Sequence, residues 1–584
     1  YWDDTPKEGN DPDAVSKQIE GGIKLMGNVK NAFLKERYIF QITRLYYNNA
    51  QYKEAIDFYT KNESSLNKDY SMKWRSMGYA AGSYYKQKEY SKANYLYSLI
   101  YDNFEPHKKV VYLSFHPQEN KDWEQSLVFA KTPREKAVLW QMLGIYADPG
   151  RAIQEIYAID PKSDLLDLLL VRLVNMEEEK FTSELKRKVG ATAEDKTTDN
   201  AAGKLITKIA SENKTANPQI WNLAAAYLNY AAKDFAAGDK FLKASEKGKT
   251  ASDLINVQYH LVSLFGKLHR AKKIDLALEK EIMPDVKIIF DKKTPDITSV
   301  RYTFSRGWTR NVLAVLYAEN GEMEKAEMIQ PGTVGNRFNN NDNIKKMIAY
   351  YEKPTHSELE NFFISQGFLS KSDYQQLIGI RYAQVDQLDS ALVYLQKSES
   401  INPTLLGNPF TIHIKDCHDC DHMATQKTKY TSASFIAKMI EMKNKAKASK
   451  NEAAQNYFLV ANGFYNMTYF GNARYFYMNS VGGYNYYYDY NDKTTNPEDD
   501  CAIALKYYLL AKENSSDKEF KAKCTFMAAK CEQNTWFNNK PADYEGDFKA
   551  GKYLKQLKAE FASTKYYNEV IKECGYFSTY VNAR

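Results

Sequence analysis

The stretch IHIKDCHDCDH, residues 412–422, brings cysteine and histidine together at short spacings. Cys417 and Cys420 are separated by two residues, and His413 and His422 flank the pair. Thiolate and imidazole are ligands that Zn²⁺ prefers, and a Cys-x-x-Cys pair can occupy two corners of a tetrahedron. The spacing therefore predicts a structural zinc site at His413, Cys417, Cys420 and His422. Four ligands this close in sequence leave little chain to surround a metal ion. The alternative is therefore a loop that packs against helices, with a local disulfide or free thiols.

Two other uses of a Cys-x-x-Cys pair are disfavoured by its neighbours. Haem attachment needs a histidine directly after the second cysteine, and Asp421 occupies that position. Redox catalysis needs a lowered thiol pKa, whereas Asp416, Asp419 and Asp421 would raise it, and the next helix is predicted to begin only at about Ser432. We therefore expect no cofactor other than a structural zinc ion, and an insertion that braces its surroundings.

The composition excludes several classes of protein. The net charge of +7 is spread over 80 basic and 73 acidic side chains with no sustained Lys/Arg block, which argues against binding of nucleic acid. No apolar run is long enough to span a membrane. No phosphate-binding Gly-Lys loop, nucleophile elbow, His-Glu-x-x-His or dinucleotide fingerprint occurs, so we expect a protein that is not an enzyme. The chain begins Tyr-Trp-Asp-Asp, and we expect any export signal or lipid anchor to lie upstream.

Much of the chain reads as pairs of amphipathic helices. Residues 38–59 place Ile39 and Ile42 on one predicted helix and Ala55 and Ile56 on a second, with a short polar turn between them. Both halves have the helical apolar period. Small residues where helices cross, beside large ones that fill the adjacent groove, are typical of close antiparallel packing.

This alternation of small and large residues resembles the tetratricopeptide repeat (TPR) superfamily. The resemblance implies an all-α fold, an irregular TPR-like solenoid of antiparallel helix pairs with short loop or β insertions. A looser unit covers residues 220–245. Positions matching the motif are Tyr46, Tyr52, Ala55 and Tyr59, with Thr43 where a smaller residue is usual; Ala81, Tyr84, Tyr90, Ala93 and Tyr97; Leu313, Ala314, Tyr317, Gly321 and Ala326; Ile378, Gly379, Tyr382, Leu388, Ala391, Leu395 and Pro403; and Ala461, Phe464, Phe470, Ala473 and Tyr477.

The spacing of these units is irregular, so we expect insertions between them. The stretch 105–122 alternates and has β character, and 190–204 is small and polar like a linker. The predicted segments are a lead-in (1–34), N-terminal helix pairs (35–135) with the 105–122 insertion, middle helical repeats (136–300) with the 190–204 linker, further helix pairs (301–403), the Cys/His insertion (404–430) and C-terminal helices (431–584) with a Tyr-rich loop at 481–500.

The resemblance also implies a partner surface, because the first helix of each TPR pair lines the concave groove. By position this groove would be basic and aromatic, which suits an acidic or C-terminal peptide segment. The TPR subclass that clamps a carboxylate has Lys and Asn where Phe40 and Arg44 stand, and the alternative is that Phe40 and Tyr47 pack on a neighbouring helix. The candidate groove residues are Arg37, Phe40, Arg44, Tyr47, Asn48, Arg75, Tyr85 and Lys86.

A second candidate surface is the Tyr-rich loop. Exposed tyrosines would form an amphipathic patch suited to a protein partner or to stacking on sugar rings, whereas rings folded back onto the helices would have a structural role. The tyrosines concerned are Tyr484, Tyr486, Tyr487, Tyr488 and Tyr490.

These patterns favour a non-catalytic scaffold that presents a long surface to other proteins in a multi-protein complex. The strings NPFTIHIKDCHDCDH and FMAAKCE resemble those of large TPR-like cell-envelope proteins of Bacteroidota, which implies an exported location. The alternatives are capture of glycans, as in SusD-like lipoproteins that also use a TPR scaffold and aromatic platforms, and a zinc protein centred on Cys417 and His422.

Metal analysis of the purified chain separates the zinc site from the loop. A zinc site predicts an equimolar metal content that survives dialysis and is lost in Cys417→Ala/Cys420→Ala, measured by inductively coupled plasma mass spectrometry. The control Cys574→Ala should keep the zinc. Folded, metal-free wild-type protein would contradict the zinc site.

Overall fold

A computed structural model describes most of the chain. The described residues are 11–185, 201–248, 252–291, 302–335, 338, 340–367, 369–398, 403–415, 426–481, 501–539, 548 and 551–582.

The described residues form an all-α fold, as predicted, with no strand and one isolated antiparallel β-bridge between Thr404 and Thr431. The helices are α1 Pro12–Gly27, α2 Ala32–Asn48, α3 Tyr52–Asn62, α4 Ser71–Lys86, α5 Tyr90–Asn103, α6 Lys108–Ser114, α7 Asn120–Phe129, α8 Pro133–Tyr146, α9 Pro149–Ile159, α10 Leu166–Leu185, α11 Ala201–Glu212, α12 Pro218–Ala231, α13 Phe235–Ser245, α14 Asp253–Arg270, α15 Leu276–Phe290, α16 Tyr302–Glu319, α17 Met323–Ile329, α18 Asn341–Tyr351, α19 Glu358–Ser365, α20 Lys371–Gln384, α21 Leu388–Lys397, α22 Ser432–Ala448, α23 Lys450–Asn466, α24 Ala502–Glu513, α25 Lys518–Asn539, α26 Lys552–Phe561, α27 Lys565–Glu573 and α28 Gly575–Asn582.

The chain divides into two compact units, each with its own apolar core. The first comprises Tyr1–Lys186, Thr192–Lys272 and Pro284–Trp308, and the second comprises Arg187–Ala191, Lys273–Met283 and Thr309–Arg584. Within each unit, helices that are neighbours in sequence pack extensively on one another, as in α4 with α5 and α20 with α21.

Five of the predicted helix pairs share one turn. In the pairs α2–α3, α4–α5, α12–α13, α16–α17 and α20–α21, three residues separate the two helices. In each turn the second of these residues has a positive φ, and the backbone N–H of the third donates to a carbonyl in the last turn of the first helix, which is a Schellman-type end. The left-handed residues are Ala50 (φ 58°), Lys88 (64°), Lys233 (63°), Gly321 (83°) and Asp386 (62°).

Small residues lie where the helices of a pair cross. Ala55, Ala81 and Ala93 are fully buried. At Gly379 a Cβ atom would lie 2.7 Å from Cγ of Leu395, so only glycine allows α20 and α21 to approach this closely. Thr43, the departure from the repeat motif, is accommodated because its Oγ1 donates to the Ile39 carbonyl at 2.7 Å.

The prediction of β character at 105–122 is wrong. The stretch forms a 3-10 turn, Glu105–His107, followed by α6 and then by the start of α7 at Asn120. Val111 and Phe115 are four residues apart and both buried, so one helical face packs on the core although the β-branched residues alternate.

The second helix predicted from Phe470, Ala473 and Tyr477 is also absent. Residues 467–481 form turns and a short 3-10 helix, and α23 packs instead with α24. A Cβ atom at Gly471 would lie 2.1 Å from Cα of Asn466, so the chain folds back tightly at this point and cannot continue as a second helix.

Two predicted boundaries can be compared with the helices. The predicted linker 190–204 extends too far, since α11 begins at Ala201, where the apolar period of Ile206 and Ile209 starts. Its earlier residues lie outside the described part of the chain. The helix predicted from about Ser432 is confirmed as α22.

Gly321 at the left-handed position of the α16–α17 turn should contribute to stability, although the other four turns have a different residue there. Gly321→Ala is expected to lower the free energy of unfolding by about 1 kcal/mol, because an L side chain disfavours this backbone conformation, although nothing lies within 4 Å of the added Cβ atom. Gly307→Ala, in the exposed interior of α16, is the matched control and should raise it by about 1 kcal/mol. Urea unfolding followed by circular dichroism measures both, and shifts of the same sign would contradict the assignment.

Candidate functional site

The faces of α2 and α4 that lie side by side form a cavity of about 490 Å³. Phe40, Arg44 and Tyr47 follow one face of α2 at helical spacing. The lining residues are Phe40, Gln41, Arg44, Tyr47, Arg75, Gly78, Tyr79, Gly82, Tyr85, Lys86, Tyr97, His107, Val110, Val111, Ser114 and His116. We call this cavity the α2–α4 groove.

Six of the eight candidate groove residues predicted from the helix-pair pattern line this one cavity. They are Phe40, Arg44, Tyr47, Arg75, Tyr85 and Lys86. Arg37 does not line it, because its guanidinium lies 3.3 Å from the centre of the Phe33 ring and donates to the Phe33 carbonyl at 3.1 Å. Asn48 is exposed and also lies outside the lining.

Glycine and aromatic rings shape the floor of the groove. Tyr79 packs between Phe40 and Tyr47, with ring centroids 6.0 Å and 5.4 Å apart. A Cβ atom at Gly82 would lie 2.9 Å from the Tyr47 ring, so glycine is needed for this ring to rest against α4. Phe40 and Tyr47 therefore pack on a neighbouring helix and also line the groove, and their binding of a partner stays a prediction.

The insertion 105–116 supplies a third wall. His107 lies directly before α6, Val110 and Ser114 lie on that helix, and His116 follows it. The sequence carried no signal for this wall, because the alternating residues predicted an extended segment. Tyr79, by contrast, was recognisable in principle, since it lies four residues after Arg75 on the same face of α4.

The charged side chains that line the groove are cationic. Arg44 is half-buried and forms no ion pair with a carboxylate in the described part of the chain, and Arg75 lies 5.6 Å from the centre of the Phe40 ring. Burial raises the pKa of the Tyr79 hydroxyl, and the positive charges of Arg44 and Arg75 oppose this shift. The groove therefore has an excess of positive charge that no protein carboxylate in its lining neutralises.

The entry to the Cys/His stretch is anchored by side-chain donors from two helices. Asn462 and Asn466 of α23 donate to the carbonyls of Phe410 and Thr411 at 2.8 Å and 2.6 Å. Lys530 of α25 donates to the carbonyl of His413 at 2.9 Å. Backbone carbonyls outside regular structure are thus satisfied, and residues 410–413 are held against the core of the second unit.

The proposed metal ligands can be assessed only in part. His413 is described and its side chain is exposed, whereas Cys417, Cys420 and His422 lie outside the described residues. Within the described ranges no group of three or more His, Cys, Asp or Glu side chains is placed to hold a metal ion. The Tyr-rich loop lies outside the described residues as well, with Tyr484, Tyr486, Tyr487, Tyr488 and Tyr490.

Other chemically suggestive groups are structural. Ser263, His260 and Lys267 surround the buried Asp285, but Ser263 Oγ donates to Asp285 at 3.0 Å rather than to the histidine, so this cluster is not arranged as a catalytic triad. Burial raises the pKa of the Cys524 thiol to about 12, which keeps it protonated and unreactive at neutral pH.

Comparison with known proteins does not assign the chain to a family. No protein-family model matches it, and no curated protein is significantly similar to it. Among the described helices, none is both long enough and apolar enough to cross a membrane.

The lack of a carboxylate partner for Arg44 has a measurable consequence. Arg44→Gln is expected to change the free energy of unfolding by less than about 0.5 kcal/mol, because no ion pair is lost. The matched control is Arg134→Gln, which removes hydrogen bonds to Asp102 (2.7 Å) and Asp164 and should lower stability by about 1 kcal/mol. Urea midpoints of the two variants provide the comparison, and an equal loss would show that Arg44 has a structural role.

Proposed function

We propose that the chain is a non-catalytic scaffold for protein–protein interaction, and that the α2–α4 groove binds an acidic segment of a partner protein. One observation carries this proposal. Six residues put forward as a partner surface line a single cavity whose charged side chains, Arg44, Arg75 and Lys86, are all cationic.

The repeated turn supports a TPR-like solenoid as the scaffold. Five helix pairs end their first helix with the same hydrogen bond and with a left-handed residue at the same position of the turn, as expected for units built on one plan. A helix pair cannot bury its apolar face alone, so such units are stable when they stack on neighbours. Stacked pairs place their first helices side by side, which is where α2 and α4 form the groove.

Electrostatics favours an anionic ligand. A carboxylate that enters the groove would meet guanidinium groups from two helices and form charge-assisted hydrogen bonds. Dissolved salt screens the attraction to a half-buried group such as Arg44 less than it screens an attraction on an exposed surface. The like charges of Arg44 and Arg75 would at the same time repel a basic segment, so the same residues would provide selectivity.

The size and walls of the groove favour a peptide segment. A volume of about 490 Å³ is in the range of sites that hold small ligands or a few side chains, and is too small for a folded domain. Phe40, Tyr47 and Tyr85 offer rigid aromatic surface to apolar groups beside the carboxylate. The exposed side chains of Val110 and Tyr146 extend the apolar surface near the groove, since Val110 lines it and the Tyr146 ring packs on His116.

The cellular setting of this scaffold is proposed from the resemblance alone. NPFTIHIKDCHDCDH and FMAAKCE are the strings similar to cell-envelope proteins, and they imply an assembly in that compartment. The two strings meet in the structure where Lys530 donates to the His413 carbonyl. This contact supports a bracing role for the Cys/His insertion.

Charge reversal in the groove tests the proposal. A synthetic peptide of alternating glutamate and tyrosine should bind the wild-type chain with a Kd in the micromolar range, and Arg44→Glu/Arg75→Glu should weaken this binding at least about tenfold. Isothermal titration calorimetry measures both affinities.

The matched control makes the same charge change outside the groove. Lys53→Glu/Lys61→Glu alters two exposed lysines of α3 and should bind the peptide nearly as the wild type does. A peptide of alternating lysine and tyrosine should not bind any of the three proteins. Equal affinity of both double variants for the acidic peptide would contradict the proposed site.

A further inference from the structure

His107 is the unusual group in the α2–α4 groove. It ends the 3-10 turn Glu105–His107, lines the cavity, and its ring centroid lies 4.9 Å from that of Phe104. Its Nδ1 atom is shielded from water and has no hydrogen-bond partner in the described part of the chain. An unpartnered polar atom of this kind is unfavourable, so an acceptor that reaches the ring gains from the contact.

Burial and the nearby positive charge of Arg75 favour the neutral form of the His107 imidazole in the empty groove. Burial, and then the positive charge of Arg75, lower the pKa of His107 below its ordinary value. Glu105, on the same segment, is engaged by Lys108 at 3.2 Å. Besides Arg75, the other titratable groups that line the cavity are Arg44 and Tyr47 from α2, Tyr79, Tyr85 and Lys86 from α4, Tyr97 from α5, and His116.

We infer that an anionic ligand enters the groove together with a proton, which His107 takes up. This inference rests on the proposed function and adds its regulation. A ligand carboxylate near Arg75 would offset the charge that disfavours the imidazolium form, and it would also accept a hydrogen bond from the protonated ring. The groove thus binds its acidic partner more tightly as the surroundings become more acidic.

The direction of the pH dependence follows from linkage. His107 is neutral in the free protein at neutral pH and protonated in the complex, so the complex holds more protons than the free partners. Affinity therefore rises as the pH falls from the higher, ligand-bound pKa towards the lower, ligand-free pKa, by at most about tenfold per pH unit. Above both values the proton is not taken up, and affinity is independent of His107.

Calorimetry can count the proton directly. The glutamate–tyrosine peptide is titrated into the wild-type chain between about pH 5.5 and 8, where its carboxylates stay ionised, in pairs of buffers with different ionisation enthalpies. The difference in observed heat between the two buffers gives the number of protons taken up per peptide. We expect uptake approaching one proton in the acidic part of this range, with Kd falling about threefold or more over one pH unit.

Two histidine variants locate the proton. His107→Gln should abolish the proton uptake and the tighter binding at low pH. His116→Gln should still take up the proton, because it retains His107, the groove histidine with a shielded, unpartnered Nδ1 atom. Peptide binding with no proton uptake, or uptake that survives His107→Gln, would overturn the inference and leave the proposed function standing. No peptide binding at any pH would overturn both.

Discussion

The close crossing of two helices joined by only three residues is the constraint on which the described helix pairs depend. So short a connection requires one left-handed residue, found at Ala50, Lys88, Lys233, Gly321 and Asp386, and it brings the helices together where their side chains are small. Because each pair buries one face internally and must cover the other, the next pair packs against it. Residues of these pairs belong to the apolar cores of both units, among them Ala81 and Ala93 in the first and Ala383 and Ala391 in the second.

This packing creates the groove as a consequence. When α2 and α4 lie side by side, the residues that do not face the second helices form a shared surface, and Gly78 and Gly82 keep it concave. The arginines on this surface lack a structural counter-charge in its lining, whereas Arg134 in the same unit pairs with Asp102 and Asp164. Arginines that have no carboxylate beside them in a concave, aromatic lining are what an acidic ligand would complement.

Helical periodicity predicted the regular helix pairs well, but it failed at the segments that depart from the repeat pattern. The pairs around Ala55, Ala93 and Ala391 could be read from the spacing of small and large residues, and six groove residues followed from their positions in those pairs. The helix in the 105–122 insertion could not be predicted in this way. The β-branched residues there have the pattern of an extended strand, whereas in the folded chain Val111 lies in α6, Phe115 directly follows that helix, and both are buried. The role inferred for His107 depends on where that helix lies, which no local pattern encodes.

The two exceptions have different physical origins. At 470–477 the repeat motif is matched, but the Asn466 side chain bonds the loop at Pro409 and Thr411, and the chain turns back at Gly471. The same asparagine therefore ends α23 and holds the segment that leads to the Cys/His stretch. Tertiary hydrogen bonds here override a local helical preference, and they give the insertion a structural anchor whatever its cysteines bind.

The central claim, that the α2–α4 groove receives an acidic segment of a partner protein, is tested most directly by site-specific crosslinking in the source cells. Replacing the exposed groove residue Gln41 by the photoreactive amino acid p-benzoylphenylalanine should yield, on irradiation, an adduct with a defined partner, mapped by mass spectrometry to an acidic segment and displaced by the glutamate–tyrosine peptide. The same replacement at Lys53, outside the groove, should not yield that adduct. Identical adducts at both positions, or none at Gln41, would contradict the account.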